Sequence, residues 1–206
     1  MSATNNSGTG GYIIDVPPSI PPSAEAIRDA LQQMVVALTG LPGHLVRPRW
    51  QPMPPTQPSP ETTWAAVGLT QTEADNFPYF AHDGVTQLPG APGPGVDRMQ
   101  RHAKMTVMVS VYGPESEHHA GILRDALYVQ QNMEPLAAIQ AKLYDVRDLA
   151  RNVELVNQQY IDRIDVIMEL RAQIDRVYPI MNLVGAKARL ITDVAGETDA
   201  EVLPPP

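Results

Sequence analysis

Residues 160–174 read YIDRIDVIMELRAQI, and their alternation decides the fold class. Ile164, Val166, Met168, Leu170, Ala172 and Ile174 take every second position, opposed by Arg163, Asp165, Ile167, Glu169, Arg171 and Gln173. Successive strand side chains point to opposite faces, so the pattern predicts a long strand with one apolar face. A helix would set Asp165 and Glu169 beside Met168 and Leu170 without a clean apolar stripe. Residues 104–112 follow the same rule, with Met105, Val107, Val109 and Val111 facing Lys104, Thr106, Met108 and Ser110. Shorter strands are expected at 62–70, 143–146 and 186–192.

Helices are expected between these strands. Ser23 is placed to cap a helix running to about Leu38, with Ile27, Leu31, Met34, Val35 and Leu38 on one stripe and Gly40 as the stop. A second begins near Glu115, with Ile122, Leu123, Ala126 and Leu127 inward and Arg124 and Asp125 outward, fading by Asn132. Pro135 suits a first helical turn and suggests a short third helix to about Ala141. The sum is α+β: an antiparallel or mixed sheet with two to three helices on one face.

Proline marks what the sheet excludes, because it fits neither helix interiors nor central strands. Six prolines fall within residues 48–60, and Pro89, Pro92 and Pro94 interleave with Gly90, Gly93 and Gly95 in an excursion spanning 76–96. Residues 1–22 read as an extended arm, 23–192 as the folded domain, and 193–206 as a flexible acidic tail ending in Pro204–Pro206. That tail holds Asp193, Glu197, Asp199 and Glu201 and no base, half of the chain's net charge of -8. Such a balance argues against wrapping nucleic acid through phosphate neutralisation. With no cysteine there is no disulfide scaffold, thiolate metal site or thiol nucleophile. No apolar run is long enough to span a bilayer and the first residues do not resemble a signal peptide, so a protein made and kept inside a cell is expected, with no membrane partner.

Candidate chemistry is sparse. His118 and His119 are adjacent and diverge by about 100° on a helix, unlike an i, i+4 metal pair. His82 and Asp83 sit beside Gly84 without an accompanying serine or cysteine nucleophile. Gly90, Gly93 and Gly95 lack the lysine and following helix of a phosphate cradle. Asp145, Asp148 and Glu154 read as loop carboxylates without calcium-loop spacing. Asp162, Asp165 and Glu169 alternate in sign with Arg163 and Arg171, as on a solvated or subunit-facing strip. Catalytic, cofactor-binding and metal residues are therefore expected to be absent. Arg163, Asp165, Glu169 and Arg171 are candidates for intersubunit pairing, and Trp50 and Trp64, flanking the proline cluster, for packing that segment or anchoring a partner.

The order of elements resembles a known family. AIRDALQQMVVALTGLP (26–42), MTVMVSVYGPESEHHAGILRDAL (105–127) and VELVNQQYIDRIDVIMELR (153–171) are similar to the opening helix, the strand-turn-helix and the late strand of phage neck or tail-terminator proteins of long-tailed phages. The resemblance implies a structural virion protein, assembled in the host cytoplasm as a homo-oligomer, generally a hexameric ring. Its partners would be the tail tube protein, with the sheath as a further candidate, and the head-completion or connector protein, with DNA crossing the lumen without specific binding. The long arm, the 76–96 insertion and the acidic tail depart from plainer members. Rival readings are another head–tail joining, tube or baseplate protein, or a small hydrolase or ligand-binding domain using His82, Asp83, His118 or His119.

Overall fold

The computed structural model describes residues 13–17, 19–21, 23–51, 53, 56–89, 93–156, 159–180, 186–192 and 196–202. Residues 1–12 of the arm expected at 1–22 and the final prolines lie outside the described residues. The chain divides into two compact units, a larger one of Pro17–Tyr79 and Met99–Arg176, and a smaller one of Met1–Val16, Phe80–Arg98 and Val177–Pro206.

In the larger unit α1 spans Ala24–Thr39. The Ser23 side chain accepts the Ala26 N–H, and Gly40 ends the helix in a left-handed conformation with its N–H on the Val36 carbonyl. Both caps satisfy backbone groups that a helix end leaves orphaned. A short 3-10 turn, Gly43–Leu45, leads into β1, Val46–Pro48, which pairs parallel with β2, Trp64–Ala74. β3 is Tyr79–Asp83 and β4 is Val96–Tyr112; β2 and β4 run antiparallel with a register shift between Leu69 and Gln71.

Gly113 makes the turn from β4 to α2, Ser116–Ala126. Its φ is +102°, and a Cβ there would lie 2.7 Å from the Thr62 carbonyl oxygen, so only glycine fits. Ile122, expected inward, is exposed, while Ala120, Leu123 and Leu127 are buried. The inward set therefore follows one stripe, 120–123–127, and Ile122 lies off it. The expected third α-helix is instead a 3-10 helix, Gln130–Ile139, with Pro135 inside it. Proline lacks the N–H that an α-helix interior requires, and the tighter turn ends at Gln140 in a left-handed conformation.

β5, Ala141–Val146, and β6, Ala150–Val156, both pair antiparallel with β7, Gln159–Pro179. Asp145 and Glu154, read as loop carboxylates, thus lie on strands. The seven-stranded sheet is ordered β1-β2-β4-β7-β5, with β3 on β4 and β6 on β7, and it is mixed because β1 is parallel. α1, α2 and the 3-10 helix bury Leu31, Val35, Leu123, Leu127 and Leu136 against Val67, Val107, Val109, Val166, Met168 and Leu170 in one apolar cluster. At about 25 cal/mol per Å² of apolar area this covered face dominates stability. The α+β reading with helices on one face is what the structure shows.

In the smaller unit β8, Ala186–Thr192, pairs antiparallel with β9, Gly196–Val202, as a separate two-stranded sheet. The segment read as an acidic tail thus contains a strand. In the same unit Asp83 accepts the N–H groups of Val85 and Thr86 and the Thr86 hydroxyl. Those hydrogen bonds, led by the Thr86 hydroxyl, lower its pKa to about 2. His82 Nδ1 lies 2.9 Å from Asp97. Asp83 thus holds the loop that follows it, and His82 reaches β4.

Candidate functional site on the open face of the sheet

The opposite face of the larger sheet has a different composition. Its apolar cluster is small, Ala66, Tyr112 and Ile161 with Trp64 beside them, and contains no helix residue. The positions between the core aliphatics bring Ser110 of β4 and Arg163, Asp165, Glu169 and Arg171 of β7 to this face.

Trp64 and Tyr112 are direct partners in the β2–β4 register, and their rings stack 4.3 Å apart at 7°. Arg47 lies over the Trp64 ring at 5.9 Å and Arg163 over the Tyr112 ring at 5.8 Å. The result is a four-layer column, cation on ring on ring on cation, in which each guanidinium meets the negative face of an aromatic. Burial pushes the Tyr112 hydroxyl pKa up, so the ring stays neutral.

Arg163 grips Asp165 with two hydrogen bonds of 2.9 Å. Asp165 also accepts from the Ser110 hydroxyl and from Asn152 Nδ2 at 2.8 Å, while Arg49 donates to Ser110 at 2.6 Å. Asp165 is only 4% exposed. Burial alone would raise its pKa; the Arg163 and Ser110 hydrogen bonds and the Arg163 charge outweigh it and hold the carboxyl below the usual range.

Farther along β7, Glu169, also 4% exposed, is clamped by Lys104 at 2.7 Å and by Arg147. The Lys104 hydrogen bond, then that of Arg147, lowers the Glu169 pKa, and the same contact raises that of Lys104. Lys104 lies over the Tyr144 ring at 5.9 Å, at the register shift between Leu143 and Asp145. Arg171 pairs with Asp75 at 2.6 Å across exposed surface. All four β7 charges expected at an interface thus have partners inside the chain. They share one face, as their alternation predicts, but Asp165 and Glu169 are buried there, which alternation alone does not indicate.

Trp50 and Trp64 part company. Trp64 belongs to the column, whereas Trp50 is 58% exposed and crosses Gly68, where a Cβ would lie 2.9 Å from its ring. Arg47 ties the proline-rich segment down by donating to the Thr56 carbonyl at 2.9 Å. Between that segment and β6 lies a groove of about 540 Å³ lined by Arg47, Arg49, Trp50, Gln57, Glu154 and Arg163 among others.

Residues 25–193 match the family described as phage neck terminator protein. The chain belongs to that family. A neck terminator is a structural component of the phage tail and neck, which places this protein in the virion. No curated protein matches the chain. In the neck terminator His119 does structural work: its Nδ1 lies 3.0 Å from the Thr39 carbonyl oxygen, a contact needing the proton on Nδ1, and links α2 to the end of α1. Among the described residues no three His, Asp or Glu side chains gather as a metal site would require, and no helix is long and apolar enough to cross a membrane.

Proposed function

We propose that this neck terminator assembles into a ring, hexameric by family resemblance, which seats on the finished tail tube, stops its growth and presents its other side to the head-completion complex. The observation that carries the reading is the open face. It is locked internally by ion pairs and stacked rings, yet it still offers a groove and an exposed tryptophan to a neighbour. Rigid, preorganised surfaces bind with less ordering loss than flexible ones. A ring needs two different patches that match each other, the heterologous contact that closes by rotation.

Termination is then geometric: one ring side matches the last tube ring and the other lacks the tube's self-propagating edge. Arg163, Asp165, Glu169 and Arg171 act by holding this face in shape, and Trp50 by meeting a neighbour. The excursion at 76–96 exposes Phe77, Phe80 and Val85, which suits a clasp onto an adjoining subunit or tube protein. The arm at 1–22 and the segment from 193 serve as further straps around the 23–192 domain.

Deleting the gene tests this reading. Electron microscopy should then show overlong or unjoined tails. Tails of normal length beside leaking heads would instead assign the protein to head completion.

A further inference from the structure

We propose that the groove beside Trp50 docks an acidic segment of another tail or neck protein, whose carboxylate is gripped by Arg47 and Arg49 and whose neighbouring apolar side chain lies on the Trp50 indole. The inference rests on the reading of this face as the one that meets a neighbour, and it names that neighbour's chemistry.

The unspent donors are specific. Arg163 commits its Nε and Nη2 edge to Asp165, the parallel two-bond grip that a guanidinium makes on a carboxylate. Arg49 donates from Nη1 alone, to the Ser110 hydroxyl, and its Nε and Nη2 edge has no acceptor among the described residues. Arg47 donates from Nε to the His44 carbonyl and from Nη1 to the Thr56 carbonyl, which leaves Nη2 unspent there. Both guanidinium groups are thus held in place by neutral acceptors, and no carboxylate pairs with either among the described residues. Setting Asp165 and Glu154, which pair with Arg163, against Arg47, Arg49 and Arg163 leaves one positive charge over. Its complement is a single carboxylate.

Gly68 builds the apolar half of the site. The Arg49 N–H bonds the Val67 carbonyl at 2.8 Å, and the chain then crosses β2 at Gly68, where a Cβ would lie 2.8 Å from the Arg49 Cβ and 2.9 Å from the Trp50 ring. The missing side chain seats the indole directly beside Arg49, with Trp50 still 58% exposed. An aromatic next to an unpaired arginine is the composition of an interface anchor. A second copy of this chain suits the groove less well, because bases interrupt its exposed acidic pairs: Arg28 stands between Glu25 and Asp29, and Arg147 between Asp145 and Asp148. A nucleic acid also suits it less well, because Glu154 lines the groove and would repel a continuous row of phosphates.

The photoreactive residue p-benzoylphenylalanine, placed at Gln57 in the groove lining and irradiated in assembled particles, reports the occupant. Mass spectrometry should map the cross-link to a different tail or neck protein, at a peptide with an Asp or Glu beside the attachment point. Arg49→Gln should lower the yield about tenfold, and replacing the mapped carboxylate by arginine together with Arg49→Glu should recover part of it. Gly68→Ala should lower the yield as well, by moving the indole off its seat. If Arg49→Gln does not enter particles, Arg49→Lys, which keeps the charge and loses the fork, should still lose most of the cross-link. Cross-linking to a second copy of this chain, to DNA or to a peptide without a carboxylate would overturn the proposal. So would no cross-link, or a yield indifferent to the Arg49 variants. Tail length in the deletion strain tests the terminator role separately, so a missing cross-link with overlong deletion tails rejects this docking site alone.

Discussion

On β7, Val166, Met168 and Leu170 face the helices while Asp165 and Glu169 face away, yet these carboxylates are nearly as withdrawn from water as the aliphatics between them. The covered face excludes water by close packing of side chains that need no partner. The open face excludes it by surrounding each carboxylate with donors from other parts of the sheet: Ser110 and Asn152 for Asp165, Lys104 and, from the β5–β6 connection, Arg147 for Glu169. Packing tolerates many substitutions of similar volume, whereas a clamped charge tolerates few, since removing one partner strands the other. The face built for solvent exclusion is thus replaceable in detail, and the face available to neighbours is fixed in detail.

The largest effect expected is on the covered face. Leu170→Ala should lower unfolding free energy by about 4 kcal/mol in urea titrations, through lost transfer energy and a residual cavity. Asp165→Ala should follow at about 3 kcal/mol, because Arg163 and Asn152 lose their shared acceptor. A loss below about 1 kcal/mol there would erase the contrast between the faces.

Acid should separate the faces without mutation. The Asp165 and Glu169 pKa values are depressed in the folded protein, so their contribution is fully present above the unfolded carboxylate range, near pH 4, and is lost as pH falls through the lower folded values. Thermal unfolding measured from pH 6 downward should show this loss, and Asp165→Asn combined with Glu169→Gln should flatten the profile. Leu170→Ala should shift the profile down with its shape unchanged. Trp64→Leu should cost about 1 kcal/mol through the lost ring stack. Arg171→Ala, at the exposed pair with Asp75, should change stability by less than about 0.5 kcal/mol.

The covered face was legible in the sequence because burial there follows strict periodicity: 105–107–109–111 and 164–166–168–170–172 are apolar at every step. The caps of α1 were legible for the same local reason, since Ser23 and Gly40 act within one turn of their own residues. β1 escaped notice because three residues ending in Pro48 give no period, and β6 because Arg151, Asn152 and Glu154 break its alternation. Burial of Asp165 and Glu169 depends on donors 13 to 65 residues away, which no window along the chain joins. One local signal did exist: Arg163 and Asp165 stand two apart on one strand face, the spacing of their bidentate pair. The family assignment was legible through element order, while the groove was not, because β1, the proline-rich segment and β6 meet only in three dimensions.

One border of β7 is shared end to end by two short strands, β5 and β6, instead of a single long one. Across the gap the Arg147 N–H still reaches the Ile167 carbonyl, so the seam stays closed. Each half can therefore lengthen, shorten or change its outward residues without forcing the other out of register. A lineage meeting a new tail could refit the β6 rim of the groove and leave the Glu169 clamp on the β5 half as it stands.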